Sequence, residues 1–277
     1  MIRISAIGAA ALALLVAACN AAPDQSAPGV AHPELWPEYT YPVTLDPETE
    51  ARIAEIVSKM TLEEKIGQLV QADICCVTPE DVKTYNLGSV LNGGNSGPYG
   101  NDLAPARDWL KLADEFWTAS TDRSDGGVGI PVIWGTDAVH GHSNIIGATI
   151  FPHNVGLGAM RDPELIERIG AATAREIRVT GQEWTFAPTV TVPQDWRWGR
   201  AYEGYSSDPA IVSSYVGAMI RGLQGAPDAM NQLAGDKVIA STKHFLADGG
   251  TKGGVDQGDA DISEEELRDI HGAPYGP

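Results

Sequence analysis

Cysteine is scarce in this sequence, which contains three in 277 residues. Two of them, Cys75 and Cys76, are adjacent, and adjacent cysteines rarely form a disulfide because the ring that joins them is strained. Three cysteines at this spacing support neither a disulfide framework nor a zinc site. We expect Cys75 and Cys76 to be small buried residues, with a strained disulfide between them as the alternative.

Basic residues are also few. The chain has 19 lysines and arginines against 37 aspartates and glutamates, which gives a net charge of -18 and a pI near 4.6. Such a surface repels the phosphates of nucleic acids, which proteins normally bind through clusters of Lys and Arg. The composition therefore argues against a nucleic-acid partner and favours a neutral or cationic ligand.

The N-terminal apolar run is too short to span a membrane and predicts a secretory signal over residues 1–19. Its last four residues, Val16–Cys19, resemble a bacterial lipobox, in which the cysteine becomes the lipidated first residue of the mature protein. We expect lipidation at Cys19, with cleavage of an ordinary signal peptide as the alternative. Because Asn20 follows, the predicted location is the periplasm or the outer membrane, with the lipid as the sole membrane anchor. Residues 20–45 are rich in Pro and Ala and predict a tether.

Aspartate–proline pairs predict helix starts in the remaining residues, 46–277, because an aspartate N-cap is often followed by proline at the first helical position. The pairs are Asp46-Pro47, Asp162-Pro163 and Asp208-Pro209. Two further starts are predicted by capping boxes, which are Thr61 with Glu64 and Ser263 with Glu266.

Short strand-like runs alternate with these helices. The runs are Ile66–Val70, Leu87–Leu91, Pro131–Trp134, Trp184–Ala187 and Val238–Thr242. This alternation predicts an α/β fold of parallel βαβ units, and over residues 46–277 a (β/α)8 TIM-like barrel. About five strands are visible, whereas a closed barrel needs eight. We therefore expect the barrel to be truncated after about five strands.

Aromatic residues make up only 7% of the chain, yet several tryptophans lie in or beside the polar loops that follow the predicted strands. They are Trp134, Trp184, Trp196 and Trp198. Charged groups interleaved with aromatic rings suit a carbohydrate, whose hydroxyls bind charged partners and whose CH faces stack on rings.

The segment Lys243–Thr251 directly follows an apolar run, so its polar groups are expected at the carboxyl end of a strand, where parallel sheets bind ligands. Side chains of consecutive strand residues point to opposite faces. Lys243 and His244 can therefore share one ligand only if the backbone is irregular between them, and we predict an irregular peptide there.

Four motifs occur in one order along the chain. They are GTDAVHG at 135–141, GATIFPHNVGLGA at 147–159, RWGR at 197–200 and KHF at 243–245. Together they resemble the hallmarks of glycoside hydrolase family 3, which contains β-glucosidases and exo-acting β-glucan glucohydrolases. The resemblance runs from about Leu45 to the end of the chain.

In that family, the aspartate of the DAVHG motif and the basic residues of the WGR and KH motifs hold the hydroxyls of the terminal glucose. The resemblance thus implies a sugar clamp made of Asp137, Arg200, Lys243 and His244, with Asp137 as acceptor and the other three mainly as donors. Three residues are expected to orient this clamp, namely Glu203, Asp248 and Gln257. The resemblance implies no cofactor and no metal.

The family's reaction is retaining: an aspartate attacks the anomeric carbon, and a glutamate protonates the leaving oxygen and later activates water. The implied activity is that of an exo-β-glucosidase, which releases glucose from nonreducing ends of β-glucans or cello-oligosaccharides. Both catalytic carboxylates are expected beyond Pro277, the acid/base in a following α/β domain that completes the site, so residues 1–277 alone should be inactive. Asp259 and Asp261 are predicted to lie in a solvated loop.

Three other functions remain open on the sequence. A β-N-acetylglucosaminidase of the same family is disfavoured because Leu246–Asp248 replaces the expected loop residues and no Asp-Ser-His follows. A non-catalytic sugar-binding lipoprotein is the second. A metal site is the third, since His140 and His142 stand two apart and His153 and His244 are further histidines.

Overall fold

The computed structural model describes residues 31–39, 45–124, 126–227 and 232–277. The chain divides into two compact units, Met1–Tyr39 and Thr40–Pro277. In the first unit, the described residues contain a short 3₁₀ turn, Pro33–Leu35. The predicted signal over residues 1–19, with Cys19, lies outside the described residues. Within the described part, no helix is both long enough and apolar enough to cross a bilayer.

Among the described residues the second unit contains eight α-helices, and five of them begin at a predicted Asp-Pro pair or capping box. They are α1 (Pro47–Lys59), α2 (Leu62–Gln68), α3 (Pro79–Thr84), α4 (Ala106–Thr121), α5 (Asn154–Met160), α6 (Pro163–Arg178), α7 (Pro209–Gln224) and α8 (Glu264–Glu266), which continues as a π-helical turn, Leu267–Gly272. The carboxylates of Asp46, Asp162 and Asp208 each accept a backbone N–H of the helix that follows. Both predicted capping boxes are also formed. These helix starts are therefore determined by local side-chain chemistry.

Five parallel strands form one sheet. They are β1 (Gln71–Asp73), β2 (Ser89–Asn92), β3 (Ile133–Thr136), β4 (Trp184–Thr185) and β5 (Ile239–Ala240). Their spatial order is β1-β2-β3-β4-β5, and every neighbouring pair is parallel. Among the described residues β1 and β5 do not pair, so the sheet is open. This arrangement confirms the predicted α/β fold, a barrel-like sheet that is not closed.

The first strand lies later in the chain than the sequence predicts, and the predicted strand Ile66–Val70 is wrong. The capping box at Thr61 starts a helix that continues to Gln68, and β1 begins only at Gln71. A short apolar run does not distinguish a buried strand from a helix by periodicity alone. Here the strong N-cap determines the structure.

The two adjacent cysteines are exposed and free, so the prediction that they are buried is wrong. They lie in the turn after β1, where the Cys75 N–H donates to Asp73 Oδ1 at 2.9 Å and the Cys76 N–H donates to the Asp73 carbonyl at 3.0 Å. Their thiols lie next to each other. The turn projects the two side chains out of the core.

Two apolar clusters make up the core. The larger lies at the packing of α6 against α7 and includes Ile166, Ile177, Val212 and Leu223. The smaller surrounds α4, β2 and β3 and includes Val90, Trp109, Phe116 and Trp134. Both support the sheet whose carboxyl end carries the candidate site.

Glycines allow α6 and α7 to approach closely. A Cβ added at Gly222 of α7 would lie 2.3 Å from the carbonyl oxygen of Glu167 in α6, a distance at which the backbones must move apart. We expect Gly222→Ala to destabilise the fold by about 1–3 kcal/mol through this overpacking. Gly217→Ala in the same helix is the matched control, because its Cβ would meet only the flexible end of Arg221 at 3.3 Å.

Urea unfolding followed by circular dichroism measures both variants. The unfolding free energy of the Gly217→Ala control should rise by roughly 0.5–1 kcal/mol, since alanine is a better helix former than glycine. Equal stability of the two variants would show that the α6–α7 contact is looser than described.

Candidate functional site

The candidate site lies at the carboxyl end of the sheet. Asp137 immediately follows β3, and Lys243 lies three positions after the end of β5. Beyond β4 and β5 the two segments continue side by side: the Lys243 N–H donates to the Pro188 carbonyl at 2.9 Å, and the Val190 N–H donates to the Lys243 carbonyl at 2.8 Å. Backbone pairing therefore fixes the position of Lys243 relative to β4.

Lys243 and Asp137 form an ion pair. Lys243 Nζ lies 2.7 Å from Asp137 Oδ1, and the side chains are 18% and 41% exposed respectively. An ammonium has three donors and a carboxylate has two acceptor oxygens, so each group keeps capacity for a further partner. The pair presents a donor and an acceptor side by side to solvent.

Arg200 is held by a two-pronged contact with Glu203. Its Nε lies 2.7 Å from Glu203 Oε1 and its Nη2 lies 2.9 Å from Oε2, while only 10% of the Glu203 side chain is exposed. The hydrogen bond to Glu203 raises the pKa of Arg200, despite partial burial. This geometry fixes the guanidinium plane, since a forked pair restricts both partners.

His244 joins Arg200 to Asp248. Arg200 Nη2 lies 3.0 Å from His244 Nε2, and His244 Nδ1 lies 2.7 Å from Asp248 Oδ2. A guanidinium only donates, so Nε2 is the acceptor and Nδ1 carries the proton that it donates to Asp248. Burial raises the pKa of Asp248, but the hydrogen bond from His244 and other contacts outweigh it and the pKa is lowered.

The backbone after β5 is irregular, as the sequence predicts. The peptide bonds Lys243-His244 and Phe245-Leu246 are both cis. Close packing also requires Gly249, where an added Cβ would lie 2.6 Å from Thr191 Oγ1 and 2.8 Å from the Val192 carbonyl. Lys243 contacts Asp137 while His244 contacts Arg200, so the two consecutive side chains reach predicted clamp residues on two different loops.

Side-chain amides of Asn92 and Asn144 support the end of β3 beside Asp137. Asn92 Nδ2 donates to Thr136 Oγ1 at 3.0 Å, and Asn144 Nδ2 donates to the same hydroxyl at 3.2 Å and to the Asp137 carbonyl at 3.4 Å. The Trp134 indole N–H completes the network by donating to Asn92 Oδ1 at 2.9 Å. Asn144 was not predicted as a site residue, because an isolated asparagine in a loop carries no sequence signal of its partners.

The tryptophans contribute less to the site surface than the sequence suggests. Trp134 and Trp198 are 2% and 3% exposed, and the Trp198 indole donates to Asp256 Oδ1 at 2.8 Å. The Trp184 indole donates to Ser241 Oγ at 2.8 Å. Of the four, Trp196 is the most exposed, at 59% of the residue. Trp134 and Trp198 are therefore too buried to stack on a ligand.

The remaining predicted site residues differ in whether they contact the predicted clamp residues. Glu203 and Asp248 contact the clamp directly, whereas Gln257 is exposed and has a left-handed backbone conformation, φ 56°. Asp261 pairs with Lys252 at 2.7 Å in an exposed loop, and the Asp259 carbonyl accepts the Lys252 N–H. This loop position agrees with the solvated location expected for both aspartates.

The histidines considered as metal ligands are arranged as separate groups. His140 Nε2 lies 2.9 Å from His153 Nδ1, and the Tyr202 ring packs against His153 at 4.6 Å between centroids. Burial, and then the nearby His153, lowers the pKa of His140. His142 is fully buried elsewhere and bonds Thr180. Within the described residues, no group of three or more His, Cys, Asp or Glu side chains is arranged to hold a metal ion.

Burial of His142 predicts a loss of stability in acid. Burial lowers its pKa from 6.5 to about 4, so between these values the unfolded chain binds a proton that the folded chain does not. Stability is then lost as the pH falls from 6.5 towards 4. We expect His142 to account for roughly 2 kcal/mol of the difference in unfolding free energy between pH 7 and pH 4.5.

Urea unfolding of the parent chain and of His142→Gln at both pH values measures this contribution. The variant should be less stable at pH 7, but it should lose less stability on acidification. An equal loss in both proteins would assign the acid sensitivity to other groups.

Comparison with known proteins identifies the family. Residues 61–277 match the model of the glycosyl hydrolase family 3 N terminal domain. The chain is 31% identical over 231 residues to a lysosomal beta glucosidase of Dictyostelium discoideum, covering 78% of this chain and 28% of that protein. It is 30% identical over 232 residues to a periplasmic beta-glucosidase of Salmonella typhimurium, covering 83% and 28%.

A solved structure is more similar still. The crystal structure of an exo-1,3/1,4-beta-glucanase from a Pseudoalteromonas species is 52% identical, with a TM-score of 0.84 over 87% of this chain and 30% of that one. The chain thus spans somewhat less than a third of the length of these relatives. By the family match and by these likenesses, the chain belongs to glycosyl hydrolase family 3 and carries its N-terminal domain sequence.

Proposed function

We propose that this chain provides the glucose-binding part of a retaining exo-β-glucosidase that acts on the nonreducing ends of β-glucans or cello-oligosaccharides. The observation that carries the proposal is the convergence of the clamp residues Asp137, Arg200, Lys243 and His244 from three separate loops. The relatives support it, since they include beta-glucosidases and an exo-1,3/1,4-beta-glucanase.

The clamp suits a neutral polyol. Asp137 accepts a sugar hydroxyl, and Lys243 donates to a neighbouring one from the same side. Arg200 keeps its Nη1 donors for the sugar, because among the described residues only its Nε and Nη2 are engaged. His244 accepts a hydrogen bond from Arg200 and so positions the guanidinium. This role differs from the expected one, in which His244 is mainly a donor to the sugar.

In this proposal the clamp binds and the bond is broken by other residues. The aspartate nucleophile and the glutamate acid/base come from sequence beyond Pro277, the latter from a following α/β domain. Fixing the terminal sugar through its hydroxyls lets binding energy offset the ring distortion that hydrolysis requires. Residues 1–277 alone would bind glucose without hydrolysing a glucoside.

A panel of aryl glycosides tests the proposal with the full-length gene product. We expect hydrolysis of the aryl β-glucoside with retention of anomeric configuration, and much slower hydrolysis of the aryl β-N-acetylglucosaminide. The alternative activity is disfavoured by Asp248, which is engaged with His244. Faster hydrolysis of the N-acetylglucosaminide would overturn the assignment to glucose, and absence of any hydrolysis would favour a sugar-binding lipoprotein.

We also propose that the protein is exported and anchored by a lipid on Cys19, in the periplasm or the outer membrane. Relatives described as periplasmic support the compartment. Mass spectrometry of the mature N terminus tests the anchor: a diacylglyceryl group on Cys19 is expected, and an unmodified N terminus at any other residue would refute it.

A further inference from the structure

Two thiols stand side by side on the surface beyond β1. Cys75 and Cys76 are both exposed, their thiols lie next to each other, and neither is in a disulfide. The turn is fixed by Asp73, whose carboxylate and carbonyl accept the backbone N–H groups of Cys75 and Cys76. The backbone of the turn that carries the pair is therefore held without help from the thiols.

A direct disulfide between Cys75 and Cys76 would be strained. Neighbouring Cα atoms lie about 3.8 Å apart across a trans peptide, whereas disulfides normally join Cα atoms about 4.4–6.8 Å apart. Inserting one atom between the sulfurs enlarges the ring and removes that conflict. An atom that bonds to both sulfurs at once therefore fits this pair better than a direct S–S bond does.

The surroundings leave room for such a centre and its substituent. Cys76 lines an open groove of about 620 Å³ whose walls are largely apolar, with Ile66, Val70 and Val77 among them. Cys75 lines a second cavity of about 340 Å³. A hydrophobic substituent can therefore lie beside the bound centre.

The proton on the Cys75 thiol discriminates between classes of bound centre. Contact with Cys76, and then with Asp73, raises the pKa of the Cys75 thiol to about 12. A metal cation would have to displace that proton into solution. A neutral arsenic–oxygen compound instead removes the thiol protons as water.

We propose that Cys75 and Cys76 form a dithiol site for neutral trivalent arsenic compounds, preferentially those with an apolar substituent. With an arsine oxide the step is R–As=O + 2 R′–SH → R–As(SR′)₂ + H₂O. Two As–S bonds form, the As=O bond breaks, both thiol protons leave in the water, and arsenic stays trivalent. This inference is independent of the proposed sugar-binding function.

Phenylarsine oxide is the probe, used on the chain carrying Cys19→Ser so that only the two neighbouring thiols react. We expect one equivalent to bind, both thiols to become unreactive towards a disulfide reagent, and 2,3-dimercaptopropanol but not a monothiol to reverse the binding. Cys75→Ser and Cys76→Ser should each weaken binding by roughly 100-fold or more, because the second sulfur binds intramolecularly.

Two results would overturn the proposal. One is binding by either single variant with the affinity of the parent, which would indicate a monothiol adduct. The other is isolation of the parent protein with no free thiol at these positions. Mass mapping of the arsenic adduct in the parent chain locates the site directly, so the test does not depend on the folding of any variant.

Discussion

Replacing Lys243 with methionine should lower kcat/KM of the full-length protein for an aryl β-glucoside by at least about 100-fold. The change removes the ammonium that lies 2.7 Å from Asp137 and leaves that carboxylate without its ionic partner. Hydrogen bonds to charged groups contribute about 1.5–3 kcal/mol each, and the substitution removes one donor to the sugar and disturbs one acceptor. Glucose binding by residues 1–277, measured by calorimetry, should weaken in parallel.

Lys252→Met provides the matched control. Lys252 also lies 2.7 Å from an aspartate, Asp261, but its side chain is 72% exposed and the pair lies outside the clamp. Exposed ion pairs contribute little to stability, so this variant should retain full activity. Similar losses in Lys243→Met and Lys252→Met would mean that the clamp has no special role in binding.

Arg200→Lys should also lower kcat/KM by about 100-fold, although it keeps the positive charge. A lysine ammonium cannot reproduce the planar fork that binds both oxygens of Glu203 and at the same time contacts His244. His244 would then lose the partner that fixes its Nε2. We expect the loss in kcat as well as in KM, since the sugar would be bound in a less restricted position.

The control for charge-conserving substitution is Arg197→Lys. Arg197 also contacts both oxygens of an aspartate, Asp195, in the same loop, and 75% of its side chain is exposed. It lies outside the clamp, so activity should be unchanged. If Arg200→Lys behaved like this control, charge alone would account for the contribution of Arg200.

Local features of the fold were predictable from the sequence. The N-caps at Asp46, Asp162 and Asp208 depend on a side chain and the two or three residues that follow it, so no distant part of the chain is needed to infer them. The error at Ile66–Val70 has the same origin. That run is short and apolar, and only the cap at Thr61 decides that it begins as a helix.

The site was predictable in composition but not in its internal contacts. Motif resemblance identified Asp137, Arg200, Lys243 and His244 as the clamp. It did not indicate that His244 accepts from Arg200, because that contact joins residues 44 positions apart and depends on two loop conformations. Likewise, nothing in the sequence separates the buried Trp198 from the exposed Trp196, since the two share one short loop.

The order of the strands in the sheet determines how the sheet can form while the chain is being translated. Each strand pairs with the one that precedes it in the chain, so during synthesis every new strand meets a partner that has already left the ribosome. The Lys243–Asp137 contact, in contrast, joins residues 106 positions apart. A chain interrupted during translation between β4 and Lys243 would therefore carry most of the described sheet and no sugar site, and we expect ligand binding to appear only after β5 and Lys243 have been made.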